Sequence, residues 1–132
     1  MRKKEGEWAM VLGIGIDLIE IHRVEKVFST EDKKKRVFTA SELLWLSDKK
    51  VESLAGVYAA KEALAKALGT GIREISFLHM EVLKDPLGKP LFNEVLLLPH
   101  LKRCFGEKNF RLHLSISHDR ERATAMVVIE EG

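Results

Sequence analysis

Two separated motifs carry the residues of this chain whose types and spacing could do chemistry. The first, residues 13–17 (GIGID), is an apolar and glycine run that ends in the carboxylate Asp17. The second, residues 58–63 (YAAKEA), places Glu62 on a helix of small residues, with Lys66 one turn further on. A hard cation such as Mg2+ takes few protein oxygens and leaves positions open for substrate phosphate. The motifs therefore predict a phosphate-handling metal site with Asp17 and Glu62 as its ligands.

Each motif alone also has a purely structural interpretation. Asp17 can cap the helix that follows the first strand, because aspartate is a favoured N-cap residue. Glu62 and Lys66 can form an exposed helical pair, which contributes about 0.3–0.5 kcal/mol. Local sequence favours these interpretations, whereas the occurrence of both motifs with a third favours the metal site. In that site Gly15, which lacks a side chain, would let a phosphate approach Asp17.

The third motif is a predicted strand, residues 111–117, with two chemically different faces. Side chains alternate across a strand, so Leu112, Leu114 and Ile116 share one face. The other face carries Arg111, His113, Ser115 and Ser117. This polar face needs a ligand or solvent, and an ordinary half-exposed strand with a turn at His118 and Asp119 explains it equally well.

Three segments resemble the holo-acyl-carrier-protein synthases, a family of phosphopantetheinyl transferases. They are GIGIDLIEIHRVE, YAAKEALAKALGTGI and HLSISH, in the order and approximate spacing of that family, and the resemblance spans residues 10–130. Family members move the phosphopantetheine arm of coenzyme A onto a serine of acyl carrier protein and release adenosine 3',5'-bisphosphate. The resemblance implies this activity, in fatty acid biosynthesis, with Mg2+ as cofactor and a homotrimer whose sites lie at subunit interfaces.

The resemblance also implies roles for individual residues. It makes Asp17 and Glu62 the Mg2+ ligands and, together with Lys66, the catalytic residues. The residues expected to bind coenzyme A are Lys61, Lys66, Gly69, Ser117 and His118. The residues expected to bind acyl carrier protein are Arg23 and Lys26. A basic helix suits an acidic partner, and solvated surface charge is the structural alternative.

Some features of these motifs leave alternatives open. Val57 stands where family members often carry an arginine, so a phosphate contact is lost or supplied elsewhere. Residues 69–71 (GTG) could cradle phosphate through backbone amides, and a helix-capping loop explains them as well. The base that deprotonates the serine is either Glu62 itself or a Mg2+-ordered water held by Asp17.

The composition limits the possible classes of protein. A chain of 132 residues with 45% hydrophobic and 32% charged residues fits one globular domain. The net charge of +2 gives no global attraction to nucleic acid or membrane. A single cysteine, Cys104, and the lack of an 18-residue apolar run or an export leader predict a cytoplasmic protein. The rival functions are a non-catalytic binding module and a Mg2+-dependent phosphohydrolase.

The order of elements predicts an α+β fold, a single compact domain of the phosphopantetheinyl transferase type with a mixed small sheet packed by helices. This domain occupies residues 10–132, after a polar extension at residues 1–9. The predicted strands are residues 10–16, 77–84, 110–117 and 123–129.

The predicted helices have local signals at their ends or along one face. The first follows Asp17 and turns four residues inward: Ile21, Val24, Val27 and Phe28. A capping box at Thr39 opens a short helix that ends at Leu46. A long helix over residues 52–68 ends at a left-handed cap on Gly69. The last, residues 93–105, should be kinked or split by Pro99.

Overall fold

The structure is a computed structural model that describes residues 10–69 and 75–132. The predicted extension at residues 1–9 lies outside these ranges, as does most of the loop that contains Thr70 and Gly71. The elements are, in chain order, β1 (Val11–Glu20), α1 (Ile21–Val27), α2 (Glu31–Lys35), α3 (Ala40–Leu46), α4 (Val51–Leu68), a 3-10 helix (Phe77–His79), β2 (Val82–Lys84), β3 (Pro90–Phe92), α5 (Glu94–Phe105), β4 (Phe110–His118) and β5 (Arg122–Glu131).

The strands form two antiparallel sheets. The larger has the order β1-β5-β4, and β2 pairs with β3 in a separate hairpin. The predicted α+β class is confirmed, with these antiparallel sheets in place of the mixed sheet that was expected. None of the helices within the described ranges is long and apolar enough to cross a membrane.

Helix α4 forms the centre of the core, because it packs across one face of the three-stranded sheet. Its alanines and Leu64 are buried against the inward side chains of β5, among them Val127 and Ile129. Burying this apolar surface is the main favourable contribution to folding. The small side chains of α4 also let the helix backbone approach the sheet closely, which brings residues of α4 and β1 together.

Strand β1 is longer than the sequence predicts. It was expected to end at Ile16, and instead continues to Glu20, which pairs with Arg122 of β5. Asp17 therefore lies within the strand, opposite Ala125, and does not cap α1. The N-cap of α1 is Glu20, whose side chain makes no capping hydrogen bond. The structural alternative for Asp17, a helix cap, is thus wrong.

The long helix and its cap agree closely with the prediction. Helix α4 ends at Leu68, and Gly69 takes a left-handed conformation with φ of 77°. The capping box at Thr39 is present, because Thr39 accepts from the Glu42 amide and Glu42 accepts from the Thr39 amide.

The first two helices show where the local pattern is insufficient. Val27 was expected to face inward and is 53% exposed, whereas Ile21, Val24 and Phe28 are buried. Helix α2 was not predicted at all: it occupies the charge-dense segment and is capped by the Thr30 side chain.

The segment predicted as one strand, residues 77–84, is divided. Its first part is the 3-10 helix, and only Val82–Lys84 is a strand, joined to β3 by a turn that begins at Asp85. Helix α5 runs through Pro99 without a break. Pro99 removes the amide that would bond to the carbonyl of Val95, and Val95 is 84% exposed, so water can reach this turn.

Candidate active site

Strand β1 delivers Asp17 to α4 because two glycines precede it on the same face. A β-carbon on Gly13 would lie 2.0 Å from the Ala67 carbonyl oxygen, and one on Gly15 would lie 1.8 Å from that of Ala63. Only glycine allows such an approach. The sequence predicted that Gly15 makes room for a phosphate, and in the structure it makes room for the helix backbone.

Asp17 pairs with Lys66 across this contact. The Lys66 Nζ lies 3.0 Å from Asp17 Oδ1 and donates a second hydrogen bond of 3.0 Å to the Ile16 carbonyl. The Lys66 side chain is 55% exposed, while that of Asp17 is only 13% exposed. The other carboxylate oxygen, Asp17 Oδ2, is buried and has no hydrogen-bond partner among the described residues. A buried carboxylate oxygen without a partner is costly, so this atom is a candidate ligand for a cation.

Glu62 lies beside Asp17 in a groove between α4, β1 and α1. The groove has a volume of about 450 Å³, and its lining includes Asp17, Arg23, Tyr58, Glu62 and Arg122. Tyr58 lies one turn before Glu62 on α4 and lines the same groove. Burial raises the pKa of the Tyr58 phenol, and its interaction with the Glu62 carboxylate and the negative charge of Asp17 raise it further. The structure thus brings together the two carboxylates that the sequence singled out.

The donor set suits a hard cation. The described residues contain no cluster of three or more histidine, cysteine or carboxylate ligands. Two carboxylates in one groove, one of them with an unsatisfied oxygen, are the kind of donors that Mg2+ uses when water and substrate phosphate complete its shell. Asp17 and Glu62 therefore fit the predicted ion.

Lys61 is not brought to this groove. Its side chain is completely buried, and its ammonium bonds to Glu42 Oε1 at 2.8 Å, to the Phe77 carbonyl at 2.8 Å and to the Met80 carbonyl at 3.2 Å. All three donors are used inside the protein. Burial lowers the pKa of the Lys61 amine, and the charge of Glu42 opposes this shift. The predicted contact of Lys61 with coenzyme A is therefore corrected to a structural pair with Glu42.

The polar face of β4 exists, and it lies on the other side of the sheet. Ser117 is exposed and pairs with Thr124 of β5. Its neighbour Ile116 points to the other face of the strand and packs against the core. Because Asp17 faces α4, Ser117 and Asp17 point to opposite faces of the sheet of one chain. His118 is exposed at the end of β4. The roles of Ser117 and His118 in binding coenzyme A stay predictions.

The remaining predicted residues have simple positions. Arg23 lines the groove, and Lys26 is exposed in the last turn of α1. Gly69 caps α4, so its conformation has a structural reason, and its role in binding coenzyme A also stays a prediction. Val57 is only 2% exposed and belongs to the core. Where the family pattern often has an arginine, this chain has a valine that packs in the core.

Two partners of the motif residues were not assigned at the level of sequence. Tyr58 lies one turn before Glu62 on α4, a spacing that could have indicated their contact. Glu42 lies 19 residues before its partner Lys61. No local pattern links residues this far apart, so only the tertiary structure shows the pair.

The chain is similar to known proteins along nearly its whole length. A family model described as the 4'-phosphopantetheinyl transferase superfamily matches residues 13–127. The holo-[acyl-carrier-protein] synthase of Fusobacterium nucleatum subsp. nucleatum is 43% identical over 124 residues, which cover 91% of this chain and 99% of that protein. The protein of the same name from Clostridium tetani is 44% identical over 124 residues, which cover 92% and 97% of the two chains.

Solved structures show the same relationship. The holo-(acyl-carrier-protein) synthase from Bacillus anthracis in complex with CoA (3',5'-ADP) has a TM-score of 0.75 and 40% identity, covering 93% of this chain and 99% of that one. The Helicobacter pylori synthase in complex with coenzyme A has a TM-score of 0.70 and 36% identity, covering 88% and 98%. The chain therefore belongs to the holo-acyl-carrier-protein synthases of the 4'-phosphopantetheinyl transferase superfamily.

Proposed function

We propose that this protein transfers the 4'-phosphopantetheine group of coenzyme A to a serine of apo acyl carrier protein, in support of fatty acid biosynthesis. The products are holo acyl carrier protein and adenosine 3',5'-bisphosphate. The observation that carries the proposal is the groove lined by Asp17 and Glu62, with Lys66 paired to Asp17, in a chain that aligns over nearly its whole length with synthases of this name. The single cysteine, Cys104, supports a reducing compartment such as the cytoplasm.

Asp17 and Glu62 are the proposed ligands of Mg2+. The unsatisfied Asp17 Oδ2 supports this assignment, because a cation would stabilise its buried charge. When bound, Mg2+ would supply positive charge that offsets the negative charge developing on the phosphate oxygens. Mn2+ accepts similar oxygen ligands and can serve as a probe of the same site.

The side chains of the chain supply the remaining functions. The serine oxygen of the carrier forms a bond to the β-phosphorus of coenzyme A, and the bond from that phosphorus to the bridging oxygen breaks, so adenosine 3',5'-bisphosphate leaves with the electron pair. Lys66, more than half exposed, extends its ammonium towards this phosphate. The base that takes the serine proton is either the Glu62 carboxylate or a water held by Asp17.

The proposed carrier contact is the basic side of α1. Arg23 borders the groove and Lys26 follows one turn later, both exposed. Acyl carrier proteins are acidic, so these charges would steer the encounter. Arg23→Glu should raise the KM for the carrier and leave the KM for coenzyme A unchanged; the opposite pattern would contradict this role.

The proposed assembly is a homotrimer with sites at the subunit interfaces. The face of the sheet turned away from α4 exposes Ile14, Ile16 and Leu18 of β1, which are 60–65% exposed, and polar residues of β4. Such an asymmetric surface suits head-to-tail contacts that close into a ring. The ring would also bring Ser117 of one chain to the proposed active site of another. Light scattering should give three times the 15.0 kDa mass of the chain; a monomer would contradict the proposal.

The activity is tested by the intact mass of apo acyl carrier protein after incubation with this protein, coenzyme A and Mg2+. We expect a gain of one phosphopantetheine that a chelator abolishes. Asp17→Asn, which keeps the shape of the side chain, should lose at least about 100-fold in rate, with unchanged thermal unfolding as the control. Release of adenosine 3',5'-bisphosphate without a mass gain would indicate a phosphohydrolase. Binding of coenzyme A without any turnover would indicate a non-catalytic module.

A further inference from the structure

We propose that Tyr58 is a positioning residue whose phenol orients the Glu62 carboxylate for the divalent cation. This inference rests on the proposed function. Tyr58 lies one turn before Glu62 on α4, the spacing at which helical side chains meet, and burial and the Glu62 carboxylate raise the pKa of its phenol. Both side chains line the groove that also contains Asp17.

The ring of Tyr58 is held on two sides. Phe28 packs edge-to-face against it with ring centroids 5.0 Å apart, and Phe77 does so at 5.9 Å. Phe77 is itself anchored, because its carbonyl accepts a hydrogen bond from the buried Lys61. A hydroxyl on a ring packed in this way has a defined position. The buried Lys61 thus holds the backbone of a residue that packs on Tyr58.

The phenol orients Glu62 without neutralising it. Lys66 brings a positive charge to Asp17, whereas Tyr58 brings a neutral donor to Glu62, so the phenol leaves the charge of the Glu62 carboxylate in place. A phenol has one hydrogen and can engage only one lone pair of the carboxylate. The rest of the carboxylate remains available as a ligand. Hydrogen-bond partners behind metal ligands commonly determine metal affinity in this way.

The variant Tyr58→Phe tests this role, because it removes one oxygen and keeps the ring that packs on Phe28 and Phe77. We expect Mn2+ binding, measured by electron paramagnetic resonance on the protein without substrates, to weaken about 10-fold. The matched control is Thr124→Val, which removes a hydroxyl that donates to the Asp17 backbone carbonyl at 2.7 Å and contacts no carboxylate. Its Mn2+ affinity should stay within about twofold of wild type, below the effect expected for a lost ligand partner.

The two readouts separate this proposal from the proposed activity. If wild type transfers phosphopantetheine and Tyr58→Phe binds Mn2+ as tightly as wild type, the positioning role is wrong and the activity stands. If Tyr58→Phe weakens Mn2+ binding as expected and wild type transfers nothing, the positioning role stands and the activity is wrong. In a functional enzyme, excess Mg2+ should restore most of the kcat of Tyr58→Phe, which a general packing defect would not allow.

Discussion

Helix α4 presents two lysines, Lys61 and Lys66, that each pair with a carboxylate from another element. The Lys61–Glu42 pair has an Nζ–Oε1 distance of 2.8 Å, and both side chains are completely buried. The Lys66–Asp17 pair has a distance of 3.0 Å, with side chains that are 55% and 13% exposed. The same two chemical groups, five residues apart on one helix, therefore lie in very different surroundings.

The pairs also differ in how completely their hydrogen bonds are satisfied. Glu42 accepts from Lys61 and from the amides of Thr39 and Val82, so both of its oxygens are used. Asp17 keeps one oxygen without a partner among the described residues. A satisfied buried pair specifies one arrangement of the core. An unsatisfied pair at a groove leaves an atom for a ligand, so the comparison separates a structural pair from a functional one.

Removing the buried lysine should have the largest effect on stability. Lys61→Met should lower the free energy of unfolding by about 3–5 kcal/mol, because Glu42 is left as an uncompensated buried charge. Urea titration followed by circular dichroism measures the change. The double variant Lys61→Met, Glu42→Gln, which also removes the charge, should recover part of the loss and provides a folded protein if the single variant fails. A loss below about 1 kcal/mol would show that the pair behaves like a surface pair.

The same substitution five residues later should affect activity instead. Lys66→Met should cost no more than about 1 kcal/mol of unfolding free energy, because the ammonium is exposed. The transfer rate should fall about 100-fold through the loss of one charged donor at the phosphate. Intact mass of the carrier over time measures this rate. If Lys66→Met destabilised the protein as strongly as Lys61→Met and left kcat unchanged, the functional assignment would be wrong.

Salt should distinguish the two pairs by a smaller effect. The Debye length falls from about 10 Å at 0.1 M to about 3 Å at 1 M ionic strength, and buried pairs are screened much less than exposed ones. The stability difference between wild type and Lys66→Met should therefore shrink towards zero in 1 M NaCl. The difference for Lys61→Met should stay the same within the error of the urea titration. Equal salt sensitivity of both differences would contradict the contrast in burial.

The sequence predicts the parts of the fold that depend on neighbours along the chain. The capping box at Thr39, the end of α4 at Gly69 and the motif residues Asp17 and Glu62 all follow from short-range patterns. The extension of β1 to Glu20 does not, because it depends on pairing with β5 more than 100 residues away. Patterns among neighbouring residues carry no information about that strand pairing.

The same limit explains the errors at the site. Lys61 belongs to the YAAKEA motif, and the direction of its side chain depends on its hydrogen bond to Glu42 of α3. The β4 face was identified as polar, while its separation from Asp17 depends on the register in which β4 and β1 pair with β5. Sequence therefore identifies the chemical groups of the site better than the surface on which each one acts.

The glycines of β1 have a consequence for the width of the groove. Ordinary van der Waals contact would hold a β-carbon on Gly15 more than 1 Å further from Ala63 than the strand and helix now allow. The lack of side chains at Gly13 and Gly15 thus permits the short distance between β1, which carries Asp17, and α4, which carries Glu62. The ionic radius that the proposed metal site would accommodate is then determined partly by residues that would touch neither metal nor substrate.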